Sequence, residues 1–397
     1  MKTLLPLLLT LLFLVACDED ATPEPVPPAA PFDWCVPDAP PDDACYALKR
    51  DPGSDDIALA RAIADAFIAA NPVEGLKWDW EAAVLMIGVL ELHQITGEAA
   101  YLDYPKAWMD HHIQAGYSIG HSDSCVPAGV AVILLHVTGD SRYQTVIDDA
   151  QLYMHEEAVR SAGGGLSHLG TLDYPTLWVD SLFMLGNVLF RLGELFDDGA
   201  SLDFFSEQFL IFTAALQEDS GFFKHADQWL TPQTDGVYWG RGNGWVVVAG
   251  AWYLRVRALR GETDDAVLDA VTRLTAAALD TQDPDSGLWW TIVNRPGQTY
   301  LETSAAALFA GGMARLWRTG LAGDEVLGPI RAAMDGVRSR ILTVDGVPVV
   351  TGVSGPTTVG TFAEYAAVET VDDVPFGVGA VLLALLETSG LPPVADQ

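Results

Sequence analysis

Two aspartates stand where carboxylates are expensive. Asp180 in "TLWVDSLFML" is the only charge in an apolar stretch, and Asp123 in "GHSDSC" directly precedes an apolar helix-like run. An unpaired carboxyl in such a setting resists ionisation, so its pKa rises, which suits a general acid. Two carboxyls facing one cavity are the usual equipment for cleaving glycosidic bonds. A capping role competes at both positions, more strongly at Asp123. Around them the chain spends flat and cationic side chains: Trp78 in "KWDW", His168 in "GGGLSHLG", Trp178 beside Asp180, and His225 in "FKHADQW". Trp239, Arg241 and Trp245 crowd into "VYWGRGNGW". Aromatic rings stack on sugar faces, while Arg and His bind carboxylates, so the set suggests an acidic saccharide. Core packing is the competing explanation for any one tryptophan.

The elements that carry these residues are helical. Apolar helices end at glycine stops at Gly97, Gly139, Gly193, Gly261, Gly320 and Gly390, and each is followed by a more polar segment. Glycine just past a helix end is the expected left-handed cap. Together with the opening amphipathic segment "DDIALARAIADAFIAA" this gives six outer and six inner helices, an all-α (α/α)6 toroid over residues 55–397. Links from inner to outer helices are short. Links from outer to inner are long and hold almost every unusual residue, so these gather at one rim with Trp80, His121, Asp227 and Glu302. In this reading the glycines of "GRGNG" let a loop fold over the rim and aim Trp239, Arg241 and Trp245 into its mouth. His111 and His112 read as surface residues of an outer helix.

Residues 1–16 read as a signal peptide, too short in its apolar part for the roughly 20 residues of a membrane span. "LVAC" is the pattern at which bacterial lipoproteins are cut, leaving a lipidated Cys17. Residues 17–54, acidic and proline-rich, read as a tether. Cys35 and Cys45 bracket a short loop and could pair in an exported protein, leaving Cys125 as a thiol. The expected address is the periplasm or cell surface, with membrane contact through the lipid only and a monomeric barrel. A net charge of −33, from 54 acidic and 21 basic residues, repels nucleic acid and anionic lipid. No zinc spacing or nucleotide loop is present, so no metal and no cofactor is expected.

The ordered stretches "WDWEAAVLMIGVLELHQITGEAAYLDY", "DSCVPAGVAVILLHVTGDSRY", "LWVDSLFML", "YWGRGNGW", "LETSAAALFAGG" and "FGVGAVLLALLE" resemble the unsaturated glycuronyl hydrolases of glycoside hydrolase families 88 and 105, more closely 105. The resemblance runs from about residue 55 to 390. It implies an (α/α)6 barrel and a substrate made by polysaccharide lyases, an oligosaccharide ending in a 4,5-unsaturated uronic acid. It implies hydration of the vinyl ether: a proton goes to C4, water adds at C5, and the hemiketal collapses. By the same resemblance Asp180 is acid and then base, Asp123 assists, and His225, Trp239 and Arg241 hold the sugar. Ser124, Cys125 and Val126, and the lack of a tryptophan just after His225, depart from the family pattern and leave the parent polysaccharide open. Two alternatives stand beside this reading. One is another (α/α)6 enzyme acting on saturated sugars, the other a lipid-anchored glycan-binding protein with an inactive site.

Overall fold

The computed structural model describes residues 50–170, 172, 174–230 and 233–392. The signal peptide, Cys17, Cys35, Cys45 and nearly all of the tether lie outside the described residues. Thirteen α-helices follow within them, numbered here in chain order. The outer helices are α1 (Asp55–Ala70), α3 (Ala100–Ala115), α5 (Arg142–Leu152), α7 (Gly199–Leu216), α9 (Asp265–Leu279) and α11 (Leu327–Ser339). The inner ones are α2 (Trp80–Thr96), α4 (Ser122–Thr138), α6 (Ser181–Leu195), α8 (Gly240–Leu259), α10 (Thr303–Arg318) and α13 (Pro375–Thr388). A short α12 (Phe362–Ala366) lies in the last long connection.

Each inner helix packs on the next, and α13 closes back onto α2, so the expected toroid is present. Burial follows from composition. From Gly240 to Val256 every residue of α8 is buried, whereas α9 buries only a stripe of Val267, Ala270, Val271, Leu274, Thr275 and Ala278. Each fully buried Leu, Val or Phe contributes about 1.5–3 kcal/mol, so the ring is held mainly by its apolar inner helices.

Five of the six expected glycine stops have the left-handed backbone: Gly97, Gly139, Gly261, Gly320 and Gly390, with φ between 67° and 73°. Gly193 is a correction. It lies inside α6, where a Cβ would sit 2.3 Å from Leu202 Cγ, and the left-handed position falls to Asp197 at φ 57°. The glycine is there for helix contact, and the helix runs two residues further.

The far end of the ring, at the inner-helix C-termini, carries a buried charge cluster. Glu387 meets Arg50, Arg315 and Arg318; Arg191 pairs with Glu91, and Arg255 with Glu194. The guanidinium groups of Arg191 and Arg315 lie 4.1 and 3.5 Å from the Trp252 ring centroid. Cations at helix C-termini oppose the negative ends of the helix dipoles, and pairing limits the desolvation cost. Short antiparallel ribbons decorate the opposite rim: Trp289–Trp290 with Leu301–Glu302, Ile341–Val344 with Val347–Val350, and Val353–Ser354 with Thr370–Val371.

Candidate active site

The long connections converge over the N-termini of the inner helices, as expected. Asp180 occupies the position just before α6 but makes no capping hydrogen bond to it, and its side chain is buried. Asp123 lies in the first turn of α4, whose cap is His121, so it is not the cap either. Capping therefore explains neither carboxylate.

Two histidines hold the pair. His225 Nε2 lies 3.3 Å from Asp180 Oδ2, a close contact without hydrogen-bond alignment, and neither atom makes a hydrogen bond elsewhere. His168 Nε2 lies 3.7 Å from Asp123 Oδ2, while its Nδ1 meets Ser122 Oγ at 2.6 Å and Ser181 Oγ at 3.0 Å. Both rings are fixed by stacking: His168 on Trp178, with centroids 4.4 Å apart and planes 8° from parallel, and His225 on Trp239 at 4.5 Å and 29°. Trp178 also meets His225 edge-on and carries Trp229 against its other side.

The electrostatics reverse one expectation. Burial does push the Asp180 carboxyl up, but the contact and charge of His225, aided by His168, outweigh it and leave its pKa below the ordinary value. Asp123 is the raised carboxyl, first through burial and then through the charges of Asp180, Asp79 and Glu81. Because the charge of Asp180 acts on Asp123, the two carboxyls titrate together, with the proton favoured on the Asp123 side. Burial lowers His168 to about 4, so that ring is neutral at physiological pH.

"GRGNG" needs a second correction. It forms no loop: Gly240 begins α8, and none of its three glycines has a positive φ. They make room instead. A Cβ at Gly240 would come 2.9 Å from Trp290 O, at Gly242 2.6 Å from the Trp239 ring, and at Gly244 2.8 Å from Leu308 Cβ. Thus the missing side chains let Trp239 fold against α8 and let α8 approach α10.

Arg241 is 1% exposed. Its Nη1 and Nη2 donate to Ser354 O at 2.6 Å and Gly355 O at 2.8 Å, and its guanidinium lies against Trp239 and Phe376. Trp245 is fully buried against Phe183. Arg241 and Trp245 are thus buried beneath the rim, as are Trp239 and His225 at 2%. Trp78, half-buried, stacks on Tyr117 and Trp108. His112, half-buried on its outer helix, packs its ring edge-on to Trp78 and Trp108, and its Nε2 reaches Leu76 O at 2.9 Å. Glu302 caps α10, accepting from Ser304 N and Ala305 N and from Ser354 N of the neighbouring ribbon. Asp227 Oδ1 accepts from Leu177 N and so ties two rim loops together.

Several site residues were missed from sequence. Ser122 and Ser181 bracket His168, Asp79 and Glu81 face Asp123, and Tyr365 reaches His225 Nδ1 at 2.9 Å. Tyr365 did leave a trace. It sits in "TFAEYA", whose Thr361 and Glu364 form a capping box that starts α12. Among the described residues no group of three or more His, Cys, Asp or Glu could hold a metal ion.

Known proteins bear on this geometry. Residues 60–391 match Glycosyl Hydrolase Family 88. The unsaturated rhamnogalacturonyl hydrolase YesR of Bacillus subtilis (strain 168) is 30% identical over 243 residues, covering 59% of this chain and 70% of that protein. A family 105 glycoside hydrolase structure from C. acetobutylicum superposes with a TM-score of 0.76 at 22% identity, over 83% of this chain and 98% of the other. The unsaturated glucuronyl hydrolase of Bacillus sp. GL1 gives a TM-score of 0.64 at 16% identity, over 83% and 95%. The two structures share the fold, and the family match spans the ring that carries both carboxyls: the chain belongs to Glycosyl Hydrolase Family 88 and is a glycosidase.

Proposed function

We propose that this glycosidase removes a 4,5-unsaturated uronic acid from the non-reducing end of lyase-generated oligosaccharides by hydrating its vinyl ether. The observation that carries this reading is the carboxyl pair: the His225 contact outweighs burial at Asp180 and favours its ionised state, while burial and the neighbouring carboxylates raise Asp123 and favour its protonated one. Hydration needs both states: one proton goes to C4, and one is taken from the water whose oxygen bonds to C5. An arriving uronate carboxylate adds negative charge beside the pair; seated closer to Asp180 than to Asp123, it raises the Asp180 pKa more and so favours transfer of the proton to Asp180. Asp180 then gives it to C4 and, ionised again, takes one from the attacking water. The hemiketal formed at C5 collapses, expelling the neighbouring sugar and leaving a 5-keto-4-deoxyuronate. The His168–Trp178 and His225–Trp239 stacks supply rigid flat walls for the sugar.

The neighbouring sugar in this reading is neutral, such as rhamnose. The charge of −33 disfavours a second acid group, and the Bacillus subtilis relative is named for a rhamnogalacturonyl substrate. Pectin fragments come first among substrates to try, and ulvan fragments second. The test follows loss of the C4–C5 double-bond absorbance. Wild type should bleach unsaturated oligosaccharides and leave saturated glycosides intact, and Asp180→Asn should lose at least roughly a thousandfold in kcat, the strong end for an acid–base residue. Cleavage of saturated substrates would refute the reading.

We further propose that the monomeric protein is exported and anchored through a lipidated Cys17. The motif "LVAC" supports this. Cys17→Ser should move the protein out of the membrane fraction with its activity intact, and unchanged membrane association would end the idea.

A further inference from the structure

We propose that Tyr365 is a positioning residue that fixes which nitrogen of His225 carries the proton, and through it the charge state of Asp180. The contacts form one line. Gly360 N–H donates to Tyr365 Oη at 3.3 Å, Oη lies 2.9 Å from His225 Nδ1, and His225 Nε2 faces Asp180 Oδ2 at 3.3 Å. Every side chain in the line is buried: Tyr365 is 4% exposed, His225 2% and Asp180 8%.

The direction of the hydrogen bonds follows from donor counting. Tyr365 Oη already accepts from the backbone of Gly360, and its own proton needs an acceptor among its remaining contacts in the described residues. The acceptor within reach is His225 Nδ1. A phenol hydroxyl that donates there requires Nδ1 to be bare, so the ring proton of neutral His225 sits on Nε2, facing the carboxylate. The opposite assignment, with Nδ1 protonated, strands the tyrosine proton and turns a lone pair toward Asp180. Burial also pushes the Tyr365 hydroxyl well above its ordinary pKa, so it remains a donor across the working range.

The local fold is built to hold this tyrosine. The capping box of Thr361 and Glu364 starts α12, Phe362 N donates to Thr234 Oγ1, and the Tyr365 ring packs with Val237, Trp239 and Ile292. Arg241 ties down Ser354 and Gly355 in the ribbon that leads into α12. The buried arginine beneath the site therefore serves the same end: it anchors the connection that delivers Tyr365.

The groups that set the charge balance come from several elements. Asp123 acts on Asp180 from α4, with Asp79 and Glu81 acting on Asp123 from the start of α2; His168 and His121 come from the rim loops, Arg241 from α8, and Tyr365 with Glu364 from α12. With Nε2–H toward Asp180 the ionised carboxylate is favoured. Without the tyrosine hydroxyl the ring can take the other tautomer, a lone pair then faces the carboxylate in place of N–H, and the Asp180 pKa moves up.

The kinetic half of the test rests on the hydration reading; the spectroscopic half does not. Nitrogen-15 spectra of the histidine-labelled protein, assigned with His225→Asn, should give His225 a bare Nδ1 and a protonated Nε2 at neutral pH. Tyr365→Phe should mix the tautomers, lower kcat by roughly 10- to 100-fold with KM within about twofold, and move the acid limb of kcat to higher pH. A purely structural tyrosine would lower the melting temperature and leave that limb in place, which would overturn the proposal. A protonated Nδ1 in the wild type would overturn it without any variant. If the wild type bleaches no unsaturated oligosaccharide, the hydration reading fails, while the spectra still decide the tautomer.

Discussion

The most direct probe of how this site is assembled is one methyl group at Gly242. In a helix interior, replacing glycine by alanine ordinarily gains about 1 kcal/mol. Gly242 lies in the first turn of α8 without a positive φ, so the backbone would accept the change. Space would not. The new Cβ meets Trp239 Cε3 at 2.6 Å and Val179 Cγ1 at 2.7 Å, one a rigid ring and the other a branched residue directly before Asp180. Overpacking of this kind costs about 1–3 kcal/mol, so after the propensity gain the net effect of Gly242→Ala is a destabilisation of up to about 2 kcal/mol. Trp239 also carries the His225 ring at 4.5 Å, so displacing it should lower kcat/KM by roughly tenfold. Denaturant midpoints at constant m-value measure the first effect, and initial rates of double-bond loss measure the second. Gly328→Ala in α11 is the control, since nothing lies within 4 Å of its added Cβ, and it should be neutral or slightly stabilising. A Gly242→Ala protein at least as stable as wild type, with wild-type rates, would refute the steric account and restore glycine as a mere flexible joint.

Asp123→Asn should cost about 10²–10⁴ in kcat and remove the alkaline limb of the pH profile, which belongs to the raised carboxyl. A carboxyl raised in the folded state destabilises that state once pH exceeds its unfolded value, so this variant should also melt higher than wild type near neutrality, as calorimetry would register. Glu387 has the opposite sign. Burial pushes it up, but the arginines around it, Arg315 first, hold it far below the ordinary range, so its contribution is present above the usual carboxylate pKa and fades on acidification. Glu387→Gln should lose about 3–5 kcal/mol at neutral pH, by denaturation, because several guanidinium groups stay buried without it. Finally, if an anionic substrate approaches a protein of net charge −33, added salt should raise kcat/KM by screening the repulsion; a fall with salt would mean that local attraction governs capture.

The toroid was legible because its signals are local and repeated. Gly97, Gly139, Gly261, Gly320 and Gly390 stop helices through a backbone conformation that the residue type itself announces. Gly193 misled because a glycine chosen for contact with Leu202 looks the same in sequence as one chosen for φ. The same ambiguity turned "GRGNG" into a loop. Asp123 and Asp180 were visible as costly carboxyls in apolar surroundings, but which of them keeps the proton was not. That depends on His225, 45 residues further along the chain from Asp180, and on Asp79 and Glu81 at the start of a different helix. Arg241 and Trp245 were drawn to the mouth by residue type alone. Their burial follows from α8 starting at Gly240, a boundary that three glycines disguise.

Where the rim's cation is spent bears on how an acid sugar is held. Arg241 donates through Nη1 and Nη2 to two backbone carbonyls and to Thr357 Oγ1, so its charge acts on the mouth from beneath. The carboxyls there include Asp79, Glu81, Asp123, Asp180 and the fully capped Glu302. Opposing them are the positive ends of the inner helices. No side chain caps α6, α8 or α13, and each such end carries roughly half a positive charge. A fixed half-charge at a helix end costs no side-chain entropy and is indifferent to pH, unlike a lysine or histidine. The ring geometry brings these ends together, so the fold itself can offset the carboxyl pair. Asp180 sits at the start of α6 without using the first-turn N–H groups, and so keeps its own oxygens for a proton in flight rather than for the helix.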